Sequence, residues 1–320
     1  MYIPGLELCR RFYREEVAPG LRVPHSAALL GRGSEVLGFD DEMSTDHNCE
    51  PRVLLFVADE HAGLRPEAPE RFAGRPALVE VHTVRSYFRD QLGWDPADEL
   101  TAPDWLTFPE RNLRMMTAGA IFHDELGLQA VRDQLAYYPD DVWRYLQIGA
   151  WWRVHPEMNL TGRAGFVGDE LGSALIGSRL VHDLMQLCFL MERQYAPYSK
   201  WFGTAFSRLS CADELSPLFA KVLRTQSWQE REEALMAAYT GVAKLHNRLE
   251  ITEPVTIGIE RMCGRPFKVV WGDFPGALLA AIKDPGVRRI ADRWPVGTVD
   301  ELRNVLWLAR DRRQLLVLFG

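Results

Sequence analysis

The sequence predicts an α+β protein: a mixed sheet with flanking helices, followed by a mostly α-helical C-terminal domain. Three observations predict it. Short apolar runs of strand length, SAALL (26–30), VLLFV (53–57) and ALVEVHTV (77–84), all fall in the first third of the chain. Apolar residues at three- and four-residue spacing dominate after Thr101-Ala-Pro-Asp104. Ten Trp, nine Tyr and fifteen Phe among 320 residues give ample material for a buried core.

Taken in order, Leu6 to Val17 reads as a helix, with Leu6, Cys9, Phe12 and Tyr13 on one face. The three strand-like runs follow, far enough apart to belong to a mixed sheet. Arg85 to Leu92 reads as a helix stopped by Gly93. The boundary is set at residue 104, giving domains 1–104 and 105–320. Within the second, helices are expected over Glu110–Ala120, Gln129–Tyr137, Asp141–Val154, Leu175–Gln194 and Gln229–Leu249. Five glycines between 162 and 177 predict a loop that leads into a close-packed helix. A late strand is expected over 266–271, and short helices from Arg289 to Phe319.

Composition narrows the function. The net charge of −7 and pI near 5.7 argue against a duplex nucleic acid partner, which needs a basic face. A small anionic ligand remains open, because a few cations can invert a local field. The five cysteines are scattered and form no CxxC pair, so they read as reduced thiols in a cytoplasmic protein. The N-terminal stretch carries Arg and Glu where a signal peptide needs apolar residues, and no membrane partner is expected.

The chemistry concentrates between Leu29 and Val57. Gly33-Ser34 follows the first strand; glycine permits close backbone approach, and serine offers a hydroxyl beside exposed N–H groups. That suits phosphate oxygens. After eleven intervening residues (35–45) come Asp46 and Asn48, which share a face if a strand begins there. Two oxygen donors on one face can hold Mg²⁺ (or Mn²⁺) against a nucleotide's phosphates, and Glu80 of the third strand is the natural third ligand. Asp40, Asp41 and Glu42 read as a solvated loop or helix start. His47 should point away from the pair. His123-Asp124 and His182-Asp183 read as structural, since neighbours on a helix do not face each other. Past the long helix, Tyr195-Ala-Pro-Tyr198-Ser-Lys200-Trp201 sets Tyr198 and Lys200 where they can meet a nucleotide, with Lys200 offsetting triphosphate charge.

The segments GSEVLGFDDEMSTDH and PRVLLF resemble the bacterial DUF4037 family, a branch of the DNA polymerase β-type nucleotidyltransferase superfamily. YYPDDVW (137–143), GFVGDELGS (165–173) and LVHDLMQLCFLMERQYAPYSKWFGTAF (180–206) extend the resemblance over most of the chain. It implies an N-terminal nucleotidyltransferase domain, a helical C-terminal domain, and Mg²⁺-dependent transfer of a nucleoside monophosphate from an NTP to an acceptor hydroxyl on a small molecule, RNA or protein. Asp46 and Glu80 would be the catalytic carboxylates. The superfamily pair is usually two carboxylates, and Asn48 departs from it. The departure opens an alternative: a degenerate member that binds nucleotide or a partner protein.

Overall fold

The computed structural model describes residues 2–45, 50–293 and 295–302. These divide into two compact units that meet in sequence between Tyr137 and Tyr138.

The first unit opens with α1 (Gly5–Phe12), whose buried stripe is Leu8, Cys9 and Phe12. Glu7 near its start and Arg10 and Arg11 near its end complement the helix dipole. A wide turn over Tyr13–Val17 follows. The strands are β1 (His25–Leu29), β2 (Arg52–Val57), a small ribbon of β3 (Arg71–Phe72) and β4 (Arg75–Pro76), then β5 (Leu78–His82) and β6 (Ala120–Asp124). Between them lie α2 (Ser34–Leu37), α3 (Val84–Leu92), α4 (Ala102–Thr107) and α5 (Glu110–Thr117), with α6 (Leu128–Gln134) closing the unit.

The four-stranded sheet runs β5-β2-β1-β6. β1 is antiparallel to both neighbours, and β2 is parallel to β5. Alternation assigns the faces. Ala27, Val53, Leu55 and Val57 pack with Leu8, Phe12 and Val17 under α1. Arg52, Leu54 and Phe56 alternate with them and belong to the opposite face, where Tyr87 of α3 meets Phe56 edge-on at 5.3 Å. The mixed sheet and the three predicted strands are as the sequence implies.

The fourth strand corrects that reading. The helix expected to run to Ala120 stops at Thr117, and Ala120–Asp124 is a strand. Gly119 makes the change possible. Its φ is +74°, and a Cβ there would lie 2.0 Å from the Leu29 carbonyl oxygen. Only glycine lets the chain turn this close to β1. His123-Asp124 is therefore a strand pair. β6 completes the sheet of the first unit, which runs to Tyr137.

The second unit contains α7 (Asp140–Val154), α8 (Leu160–Phe166), α9 (Glu170–Met191), α10 (Ser199–Phe206), α11 (Ala212–Arg224), α12 (Trp228–Arg248), α13 (Phe274–Ala281) and α14 (Pro285–Arg293), with the hairpin β7 (Gly258–Arg261)–β8 (Lys268–Trp271). The start of the glycine-rich stretch, 162–166, expected as loop, lies within the helix α8. Its glycines serve packing: a Cβ at Gly165 would sit 2.1 Å from Trp228 Cβ, and one at Gly162 2.7 Å from Glu232 Oε1. Asp169 caps α9 through the Gly172 N–H at 2.7 Å, and Glu170 pairs with Arg231 at 3.2 Å. Among the described residues, α9 is long and apolar enough to cross a membrane, but half of its apolar window is buried within the protein, as in a core helix. The four described cysteines, Cys9, Cys188, Cys211 and Cys263, are free.

Candidate functional site

The phosphate turn predicted at Gly33-Ser34 stands at the end of β1. Gly31 and Gly33 have φ of +89° and +130°, and α2 starts at Ser34. Val36, Leu37 and Phe39 are buried, so the turn is pinned from its C-terminal side. The Gly31 N–H donates to the Met115 carbonyl at 3.0 Å. Backbone of this kind, held in conformations that favour glycine, can present N–H groups to an anion.

Two residues missed in the sequence build the rest of the site. Arg52, the first residue of β2, donates from Nη2 to the Arg32 carbonyl at 2.7 Å and ties the turn to the sheet. The same guanidinium lies 3.5 Å from the Glu35 carboxylate. Glu35 folds back over Gly33: a Cβ at Gly33 would lie 2.0 Å from Glu35 Oε1. Burial raises the Glu35 pKa above its usual value, against the pull of its own backbone N–H and of Arg52. A carboxylate thus covers the glycine turn, next to an arginine. The signal in sequence was weak: Glu35 adjoins the Gly-Ser pair, and Arg52 opens PRVLLF, but neither has a spacing that announces it.

Glu80 occupies the middle of β5, in register with Leu54 of β2, and so shares the Arg52 face. Its carboxylate is 3.7 Å from His82 Nε2. Hydrogen bonding to His82, then the field of Arg52, hold its pKa below the usual range, against desolvation. Tyr87 closes this face. Its phenol lies 3.0 Å from the Cβ position of Gly31, and burial raises its pKa. Gly33, Glu35 and Arg52 therefore stand at one end of the sheet, Glu80 lies mid-strand on the Arg52 face, His82 lies farther along that face, and Tyr87 spans from the turn to His82.

The acids of the intervening loop have structural duties. Asp40 accepts from the Tyr2 hydroxyl at 2.5 Å and the Gly5 N–H at 2.7 Å, fastening the start of α1. Asp41 accepts from the N–H groups of Met43 and Ser44 at 3.0 and 3.1 Å. Asp46 and Asn48, the predicted metal pair, lie with His47 outside the described residues.

Lys200 and Tyr198 belong to the second unit. Tyr198 immediately precedes α10 and is 44% exposed. Lys200 is exposed, with Nζ 4.8 Å from the Trp201 ring centroid. Tyr195 is core, edge-on to Tyr138 at 5.1 Å.

A crystal structure of a nucleotidyltransferase-like protein from Exiguobacterium sibiricum 255-15 is similar in part, at 12% identity and a TM-score of 0.33, over 83% of this chain and 97% of that one. No curated protein matches the chain. The family model described as "Domain of unknown function (DUF4037)" matches residues 105–202, from α4 to α10. The match covers less than half of the chain, and the turn and sheet face just described precede it in sequence.

Proposed function

We propose that the protein is a Mg²⁺- or Mn²⁺-dependent nucleotidyltransferase, moving a nucleoside monophosphate from an NTP to an acceptor hydroxyl. The observation that carries the reading is the Gly31–Ser34 turn, tied by Arg52 to a sheet face that also bears the ionised Glu80. A turn able to hold phosphate oxygens and a carboxylate able to hold a hard cation are the two parts this chemistry needs in one place.

The proposed roles follow from the side chains. Gly33 and Ser34 position the β- and γ-phosphates, and Arg52 adds positive charge beside them. Asp46, Asn48 and Glu80 would hold the ion. Glu80 fits such a site: it is an oxygen donor, 37% exposed, and its lowered pKa keeps it charged at neutral pH. The same lowered pKa makes it a weak proton acceptor, so its role is ligand rather than general base. When bound, the ion would offset charge on the leaving pyrophosphate.

A second reading, a degenerate protein that binds nucleotide without turnover, is favoured by two features: the amide at Asn48 and the Glu35 carboxylate folded over Gly33. One experiment separates them. Labelled pyrophosphate release is measured with each NTP, Mn²⁺ and a panel of small-molecule, tRNA and protein acceptors, for the wild type and for Asn48→Asp. Release by the wild type supports the transferase. Release by Asn48→Asp alone supports the degenerate reading.

A further inference from the structure

At the other end of β1 from the Gly33 turn, three metal-binding side chains converge. His25 begins the strand, His123 ends near it on β6, and Glu125 follows. One donor atom from each lies within 4.8 Å of the other two. The His25 and His123 rings are 4.6 Å apart, and His123 Nε2 is 3.4 Å from Glu125 Oε2. Ligands around a tetrahedral zinc-class ion with bonds near 2.0–2.1 Å sit about 3.3 Å apart. One pair already has that spacing.

We propose that His25, His123 and Glu125 form a site for a zinc-class divalent cation, with water completing its coordination. Three features support it. First, His25 Nδ1 lies 2.9 Å from the Val23 carbonyl. A ring that donates from Nδ1 to a backbone carbonyl presents a bare lone pair at Nε2, the arrangement that orients metal-bound histidines. That lone pair now faces the Tyr13 hydroxyl at 2.9 Å, which a cation would displace. Second, His123 Nε2 is shielded from solvent and faces the Glu125 carboxylate at 3.4 Å, so an imidazole and a carboxylate are already held at the spacing of two ligands of one ion. Third, the backbone is shaped to deliver His123. The β1–β6 register shifts between Ala27 and Ala28, so that His123 pairs with Ala27 and Ile121 with Ala28. This bulge brings both Phe122 and His123 against Tyr13, with rings 6.0 and 6.5 Å from it.

The cluster is also held firmly. Asp124 accepts from Ser26 Oγ at 2.6 Å and from the N–H groups of Leu128 and Gln129 at 2.9 Å each. The His25 N–H donates to Glu125 Oε2 at 3.0 Å. Two imidazoles and one carboxylate select a borderline cation such as Zn²⁺ over Mg²⁺, which prefers oxygen donors. With His123 and Glu125 37% and 50% exposed, the remaining coordination position is open to water.

The test is a titration of the full chain with Co²⁺ and Zn²⁺, followed by the visible absorption of four-coordinate Co²⁺ and by calorimetry. One equivalent is expected to bind, and excess Mg²⁺ is expected not to displace it. His123→Gln and Glu125→Gln, both at partly exposed positions, should each weaken binding by 10- to 100-fold. Tyr13→Phe removes the competing hydroxyl and should tighten binding several-fold. Circular dichroism checks that each variant is folded. Absence of a Co²⁺ band in the wild type would overturn the proposal. So would a band that survives unchanged in both folded Gln variants, since the ion would then sit elsewhere, or one that weakens in folded Tyr13→Phe.

Discussion

At the scale of single residues, Glu35 and Arg52 decide the character of the proposed nucleotide turn. Glu35 keeps a raised pKa although Arg52 is only 3.5 Å away, so desolvation outweighs the ion pair. Its pKa lies above that of the unfolded chain. The folded protein therefore holds the proton more tightly, and its stability falls as pH rises through that window. Glu35→Gln should accordingly raise stability at pH 7 and flatten this part of the pH profile. Urea unfolding at pH 5 and pH 7 measures it. A variant less stable than the wild type at pH 7 contradicts the burial argument. The same variant uncovers Gly33 less completely than Glu35→Ala, so nucleotide affinity should rise most in the alanine form.

These two residues also show where sequence reading stopped. Gly33 and Ser34 were legible because glycine and a hydroxyl at a strand end carry a local meaning. Arg52 and Glu35 were not, because their meaning comes from pairing. Arg52 reaches the turn only because β2 lies antiparallel beside β1, and Glu80 joins them only because β5 lies parallel beside β2. No spacing within the chain encodes those neighbours.

At the scale of elements, glycine placement determines which segments can approach. The helix expected over Glu110–Ala120 ends at Thr117 and β6 begins at Ala120, because the decisive feature is the contact of Gly119 with Leu29 across the sheet. Gly119→Ala should cost at least 3 kcal/mol, combining strain at positive φ with a backbone clash. Gly165→Ala should act similarly in the second unit by driving α8 away from Trp228. Thermal unfolding reads both. A loss below about 1 kcal/mol in either would mean that the elements are less closely apposed than described. The long helices α7, α9 and α12 were legible from periodicity, because extended amphipathic or apolar segments announce themselves. The short α8 was not, because its glycines read locally as loop and only their packing against α12 makes them helix residues.

At the scale of the whole molecule, each unit carries its own pH sensitivity. In the second, His246 is fully buried beside Trp151 and Phe274, with its Nδ1 unpartnered. Burial lowers its pKa to about 4. An unfolded histidine takes up a proton below about pH 6.5, while this one resists until about pH 4, so stability is lost as pH falls across that window. The full loss is roughly 3 kcal/mol. His155, also lowered by burial, acts in the same direction. His246→Gln should therefore lose its disadvantage relative to the wild type on going from pH 7.5 to 4.5, as followed by urea unfolding. A difference that does not change with pH would show that His246 titrates normally.

The match to the DUF4037 family model runs from α4 of the first unit to α10 of the second, whereas the Gly33 turn, Arg52 and Glu80 precede it. The central claim, that these residues bind a nucleotide through a metal, is tested most directly by calorimetric titration of NTP into the full chain with and without Mg²⁺. The account predicts binding that strengthens with Mg²⁺, and a loss of about 10-fold, near 1.4 kcal/mol, in Glu80→Gln only when Mg²⁺ is present. NTP binding that ignores Mg²⁺, or is untouched by Glu80→Gln in its presence, would contradict it.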